Sequence, residues 1–209
     1  MAILLLRHGA TKDNAGPAGG ERLRHADTQL TPEGRQMAEQ AATAADGVPL
    51  VHIYSSPLAR AKATAEIWSQ HAKVPMSTQA NLRARDMGAL EGKPVSAVRS
   101  LLDHLAKHPE TKPPGNGESV QAFVQRYQAA VKPLIDAKEL YGVVGHGSGV
   151  KAIELLFNHQ PLTTWNKEPV IAPGKFALVT TEGLHGLQHG DAGMDSHDAR
   201  ASAAGGRFS

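Results

Sequence analysis

Ile3-Leu4-Leu5-Leu6-Arg7-His8-Gly9-Ala10-Thr11 is the stretch from which the fold is read. Four consecutive apolar residues predict a short buried strand, and the run stops at a cation, an imidazole and a glycine. In open α/β sheets, ligands bind beyond the carboxyl ends of strands. A strand ending in Arg7-His8-Gly9 therefore puts reactive side chains where such folds bind ligands. On this stretch alone, a core strand followed by a surface Arg-His serves equally well.

Working outward, two more apolar runs end in polar cargo. Residues 49–54 predict a strand stopping at Ser55-Ser56-Pro57, and residues 141–145 predict one interrupted by His146-Gly147-Ser148-Gly149. Phe176-Ala177-Leu178-Val179-Thr180 predicts a late strand. Between them the pattern turns helical. Thr31 is placed as an N-cap, with Pro32 in the first helical position and Glu33 near the positive end of the dipole, and the helix runs to Ala45. Further helices are predicted over 58–72, 95–107 and 150–157, and from Glu118 or Ser119 through Val120, Phe123, Val124 and Tyr127. Residues 12–30 and 109–117 have loop composition, and 82–92 is irregular, with Gly88 and Gly92 as breaks. Strand and helix alternate, which predicts a layered α/β sheet. The chain divides into one domain over residues 1–189 and a tail over 190–209 that has almost nothing to bury and is expected to be disordered.

Composition narrows the function. At 209 residues the chain has room for one α/β domain with a substantial core. Aromatic content of 4% argues against stacking platforms for nucleic acid, and no nucleic-acid partner is expected. The absence of cysteine excludes thiolate metal sites and a cysteine nucleophile. No basic leader precedes the first apolar run, and no run is long enough to span a bilayer. Neither a signal peptide nor a membrane partner is expected, and the expected location is the cytoplasm.

Two histidines and two arginines at strand ends suit a phosphate dianion. Arginine binds phosphate oxygens in a bidentate way. A neutral imidazole can attack phosphorus covalently, and a second can donate to the oxygens that carry charge in the transition state. Five motifs then fall in one order: Arg7-His8-Gly9-Ala10-Thr11 with Asn14; Leu30-Thr31-x-x-Gly34; Tyr54-Ser55-Ser56-Pro57-Leu58-x-Arg60-Ala61-x-x-Thr64-Ala65; Gly117-Glu118-Ser119; and Val144-Gly145-His146-Gly147. Together they resemble the histidine phosphatase superfamily, in its phosphoglycerate mutase-like branch, over roughly residues 3–180.

The resemblance implies a three-layer sandwich, with a mostly parallel central sheet and helices on both faces. It implies that His8 is phosphorylated while Arg7, Arg60 and His146 hold the phosphoryl group, with Asn14 and Gly147 in the pocket. It implies no metal and no other cofactor. The expected activity is hydrolysis of a phosphomonoester, on a small molecule or a phosphoprotein. A phosphoglycerate mutase-type phosphotransferase is the alternative; hydrolysis is preferred because no long insertion is present to shield the intermediate from water. Arg24 and Asp27 lie in a loop that also resembles family members, although His25 and Gln29 replace the usual Gly and Pro. Arg24 is carried as a substrate-binding candidate against a solvated loop cation. Oligomeric state is not legible in the sequence; a homodimer is one assembly left open.

One departure matters. Where active relatives carry Leu-x-Glu-x-x-x-Gly, with the Glu as general acid, this chain has Leu82-Arg83-Ala84-Arg85-Asp86-Met87-Gly88. General acid catalysis contributes roughly 10²–10⁴-fold, so its loss falls hardest on alkoxide leaving groups. Three readings follow. Asp86 substitutes, from the same side of an extended segment as Ala84, with Glu118 as a second candidate against a helix-capping role. Alternatively the substrate leaves without help, as phosphohistidine, acyl and aryl phosphates do. In the third reading the chain is an impaired phosphate-binding pseudoenzyme or a deliberately altered protein.

Several features are read as structural. His185, His189 and His197 with Asp191, Asp195 and Asp198 form a solvated tail rather than a metal site, because Gly186 and Gly190 oppose the helix that metal-ligand spacing would need. His52, inside an apolar strand, is expected in the core. Lys62, Arg83, Arg85 and Arg99 are read as surface cations that could broaden an anion pocket.

Overall fold

The computed structural model describes residues 2–14, 22–23, 28–166 and 171–186. Ala2–Arg7 forms strand β1, every residue of it buried, as the apolar run dictates. Helix α1 spans Pro32–Ala44, and its N-cap Thr31 accepts a hydrogen bond from the Gly34 N–H. Leu50–Ser55 is β2, Ala59–Ala72 is α2 and Met76–Thr78 is β3. Val95–Lys107 is α3, and Val120–Asp136 is α4, capped by the Ser119 hydroxyl. Leu140–Gly145 is β4, Gly147–Phe157 is α5, Phe176–Thr180 is β5 and Gly183–Gly186 is β6.

The six strands form one sheet in the order β3-β2-β4-β1-β5-β6. The β3–β2, β2–β4 and β4–β1 pairs are parallel, while β5 and β6 add antiparallel pairs at one edge. The mostly parallel sheet expected from the resemblance is the sheet observed. Strand alternation sorts β1 between two cores. Ile3 and Leu5 join Phe123, Tyr127, Val150 and Ile153 from α4 and α5, whereas Leu4 and Leu6 join Ala41, Ala61, Ala65 and Trp68 from α1 and α2. A helical layer thus covers each face.

Small residues set the closest approaches. A Cβ on Gly142 in β4 would lie 2.8 Å from the Trp68 ring, and that ring is fully buried edge-on against Phe176. A Cβ on Gly9 would lie 2.1 Å from the Gly34 carbonyl oxygen, so α1 packs backbone to backbone on the loop after β1. The Thr31-x-x-Gly34 motif therefore fixes the position of the His8 loop.

The fold departs from the sequence-based expectations in three places. β3 and β6 have no counterpart in the predicted elements; at three and four residues they carry too few apolar positions to show a period. α5 begins at Gly147 rather than Val150, because the glycines with loop character lie in its first turn. Gly149 is needed there: a Cβ would lie 2.4 Å from the Tyr127 ring. His52 is not in the core; it is half-buried and its Nε2 hydrogen-bonds the Ser77 hydroxyl at 2.9 Å. The predicted tail, His189, His197 and the loop bearing Arg24 and Asp27 lie outside the described residues, while His185 is exposed on β6.

Candidate active site

Parallel pairing brings the strand ends together. Arg7, last in β1, is in register with Gly145, last in β4, and the His8 N–H donates to the Gly145 carbonyl at 3.1 Å. His8 and His146, the next residues along, consequently meet with ring centroids 5.1 Å apart. On the other side of β4, Ser55 pairs with Val144, and the Ser56 N–H donates to the Val144 carbonyl at 3.0 Å. The Ser56 hydroxyl then lies 2.8 Å from His146 Nε2. Arg60 follows in the first turn of α2, and only 1% of it is exposed. Thr64, one turn on, donates to the Arg60 carbonyl at 2.8 Å and accepts from the Gly9 N–H at 3.3 Å. It ties the α2 motif to the His8 loop.

His8 is fully buried, and its Nδ1 lies 2.7 Å from the Gly9 carbonyl oxygen. A carbonyl only accepts, so Nδ1 carries the proton and the lone pair of the neutral ring sits on Nε2. Arg7 donates through Nη1 to the Ile171 carbonyl at 2.8 Å, which orients its guanidinium. His146 occupies the N-cap position of α5, so the positive end of the helix dipole adds to the charge of the arginines.

These groups border a cavity of about 200 Å³. Arg7, Arg60, His146 and Gly147 line it, as do Arg22, Arg85, Arg99 and Lys151; Asp103 is its one carboxylate among the described residues. His8 lies against His146 without contributing to the wall. Arg85 is not a surface cation: only 7% of it is exposed, and its Nε donates to the Glu118 carbonyl at 2.8 Å. Burial pulls its pKa down to about 10, against the opposing pull of the Glu118 carboxylate, so it stays charged at neutral pH.

The candidates expected around the departure divide. Ala84 does line the cavity. Asp86 does not: it is exposed, and its Oδ1 accepts from the Gly88 N–H at 2.8 Å. Ala84 faces the cavity and Asp86 faces solvent, so the same-side placement expected of an extended segment is not observed. Glu118 is also absent from the wall. Its two carboxylate oxygens accept from Arg126 Nε and Nη2 at 2.8 and 2.7 Å, while Arg126 Nη1 donates to the Asn81 carbonyl at 2.7 Å. The Gly117-Glu118-Ser119 motif thus anchors the segment that presents Ala84 and Arg85. Asn14 closes a turn instead of lining the cavity, its Oδ1 accepting from the Thr11 N–H at 2.6 Å. Lys62 pairs with Glu66 on the helix surface. Arg22, Asp103, Lys151 and Trp165 carry no signal in the sequence, since each stands alone in a helix or loop with no motif around it.

Fold and site together define an α/β protein with a cation-lined cavity at the ends of its parallel strands. The chain matches the histidine phosphatase superfamily (branch 1) over residues 3–186, and it belongs to that family. Among curated relatives, a probable phosphoglycerate mutase GpmB of Salmonella arizonae is 30% identical over 141 residues, covering 65% of this chain and 64% of that protein. The Salmonella choleraesuis counterpart is 32% identical over 145 residues with the same coverage, so the match spans just under two thirds of these relatives. Among solved structures, Bacillus stearothermophilus YhfR aligns with a TM-score of 0.76 at 28% identity, covering 92% of this chain and 98% of that one. A phosphoglycerate mutase from Thermus thermophilus aligns at 0.69 and 28% identity, covering 90% and 97%. A mycobacterial glucosyl-3-phosphoglycerate phosphatase shares the fold at 0.71 and 21% identity, covering 88% and 94%. Among the described residues, no helix is long and apolar enough to cross a membrane.

Proposed function

We propose that the protein is a phosphatase that transfers a phosphoryl group from a phosphomonoester to His8 and then to water. The observation that carries this reading is the 2.7 Å contact of His8 Nδ1 with the Gly9 carbonyl, which leaves the lone pair on Nε2 beside His146. In the first step Nε2 attacks phosphorus as the ester P–O bond breaks, and the departing oxygen keeps the electron pair and takes a proton from water. Arg7, Arg60, His146 and the start of α5 offset the charge on the equatorial oxygens, so this chain's own cations stabilise the transition state. Water then attacks the phosphohistidine, releasing phosphate and restoring the ring. The small cavity fits a small-molecule donor better than a folded phosphoprotein.

Mutase action is the second reading, favoured by the names of the Salmonella relatives. Hydrolysis is preferred because the described loops include no long insertion over the cavity. Acid-quenched labelling with a phosphorylated substrate, followed by mapping, tests both. Label on His8 that decays to free phosphate supports the phosphatase; label passed to a second hydroxyl supports the mutase. No label on any histidine would leave only a phosphate-binding protein.

A further inference from the structure

We propose that the physiological donor is a phosphoanhydride, whose leaving group is itself a phosphate held by cations on the Ala84 side of the cavity. The inference rests on the phosphohistidine reading and replaces its phosphomonoester donor with an anhydride.

Two observations converge on it. The first is the lack, among the described residues, of a carboxylic acid for the leaving group. Ala84 stands in the wall with no proton to give. Asp86 is engaged with the Gly88 N–H, and Glu118 is held by Arg126. Asp103, the remaining candidate in the wall, is engaged by Asn166, whose Nδ2 donates to its Oδ1 at 2.5 Å. An alkyl phosphate would have to leave as an alkoxide, a base about as strong as hydroxide. A phosphate leaves far more easily, with a conjugate acid at about 6.

The second is a surplus of positive charge. Arg7, Arg60 and His146 suffice for one phosphoryl group, yet Arg22, Arg85, Arg99 and Lys151 share the same cavity. Arg85 is the telling member. It is buried, it remains charged, and its Nη2 has no hydrogen-bond partner among the described residues. A buried cationic N–H left unpaired is costly, so the position makes sense with an anion against it. A neutral alcohol offers these cations nothing, whereas a phosphate offers several oxygens.

The chemistry balances without a proton donor. A diphosphate carrying three negative charges meets neutral His8. The Nε2–phosphorus bond forms as the bond from phosphorus to the bridging oxygen breaks, and the electron pair stays on that oxygen. The leaving phosphate departs with two negative charges, and the phosphohistidine, with Nδ1 still protonated, keeps one. Water then adds to phosphorus, the phosphorus–nitrogen bond breaks, and both water protons remain on the dihydrogen phosphate released.

The test compares inorganic pyrophosphate, p-nitrophenyl phosphate and glycerol 2-phosphate with a chelator present, on the full chain and on A84E, R99Q and H8A. The expected kcat/KM for pyrophosphate exceeds that for glycerol 2-phosphate by about 10²-fold or more, the range a missing general acid predicts. A84E is expected to raise glycerol 2-phosphate turnover and shrink that ratio by roughly tenfold or more, by the same reasoning. R99Q, an exposed position on α3, is expected to lower kcat/KM for pyrophosphate more than for p-nitrophenyl phosphate. If p-nitrophenyl phosphate is hydrolysed in a His8-dependent way while pyrophosphate is no better than glycerol 2-phosphate, the anhydride proposal falls and the phosphohistidine reading stands. If none of the three reacts, the reading falls and takes the proposal with it.

Discussion

The wall formed by Arg7, Arg60 and His146 stands on the ends of paired strands and the first turn of a helix, whereas the wall around Ala84 and Arg85 stands on irregular backbone between two short 3₁₀ turns. At the first wall, register fixes position: β1, β4 and β2 end side by side, and whatever follows them must converge. Backbone contacts such as Gly9 against Gly34 leave that wall little room to adapt. The second wall depends on side chains. Arg126 holds the carbonyls of Asn81 and Arg83, Glu118 holds Arg126, and Arg85 hangs from the Glu118 carbonyl. The Arg7, Arg60 and His146 end is set by the fold itself, and the Ala84 and Arg85 end by a network that substitution can retune.

The largest effect breaks the chemistry at the rigid wall. His8→Ala is expected to cost about 10⁴-fold or more in kcat and to abolish acid-labile phosphoenzyme, as loss of a nucleophile does elsewhere. Arg60→Ala comes next. Removing one charged donor from a developing oxyanion typically costs roughly 10²–10³-fold in kcat. Steady-state rates with p-nitrophenyl phosphate check both, and an Arg60→Ala loss far short of that range would mean that the guanidinium holds structure rather than phosphate.

The softer wall should respond in stability. In Glu118→Gln, Arg126 keeps its carbonyl partners and loses its counter-charge, so thermal unfolding should register a loss of about 1.5–3 kcal/mol. Only 18% of the Glu118 side chain is exposed, so solvent screening reduces this little. Were Glu118 the acid, kcat for alkyl phosphates would collapse in this variant and the pH profile would lose its limb.

The same contrast explains what can be read from residues alone. Arg7, His8, Arg60 and His146 sit inside motifs of fixed spacing, because strand ends and helix starts accept few alternatives. Arg85 reads as a surface cation, since nothing in Leu82-Arg83-Ala84-Arg85-Asp86 shows that one arginine turns inward and the aspartate outward. Arg22, Asp103 and Lys151 come from three separate segments, and only tertiary packing brings them to one cavity. The glycines of His146-Gly147-Ser148-Gly149 read as loop because Gly disfavours helix interiors. What overrides that preference is the Tyr127 ring, which belongs to α4 and leaves no room for a side chain at Gly149. No local cue reveals it.

Tyr127 supplies the finest test of how tightly the rigid wall is set. Its ring is fully buried between Gly145 and Gly149, the residues that bracket His146, and its hydroxyl has no hydrogen-bond partner among the described residues. Burial raises its pKa well above the usual phenol value, so the group stays protonated and carries an unspent donor. Leaving such a group buried costs about 1–3 kcal/mol. Tyr127→Phe removes it and keeps the ring that positions both glycines, so thermal stability is expected to hold or rise by up to about 1 kcal/mol with kcat nearly constant. Gly149→Ala should act in the opposite sense, since its Cβ meets the same ring at 2.4 Å; overpacking of this kind costs roughly 1–3 kcal/mol and would push His146 out of line with His8. If Tyr127→Phe instead lowers both stability and kcat, the hydroxyl is bonded to something that holds the His146 turn, and the wall owes its rigidity to that bond rather than to packing.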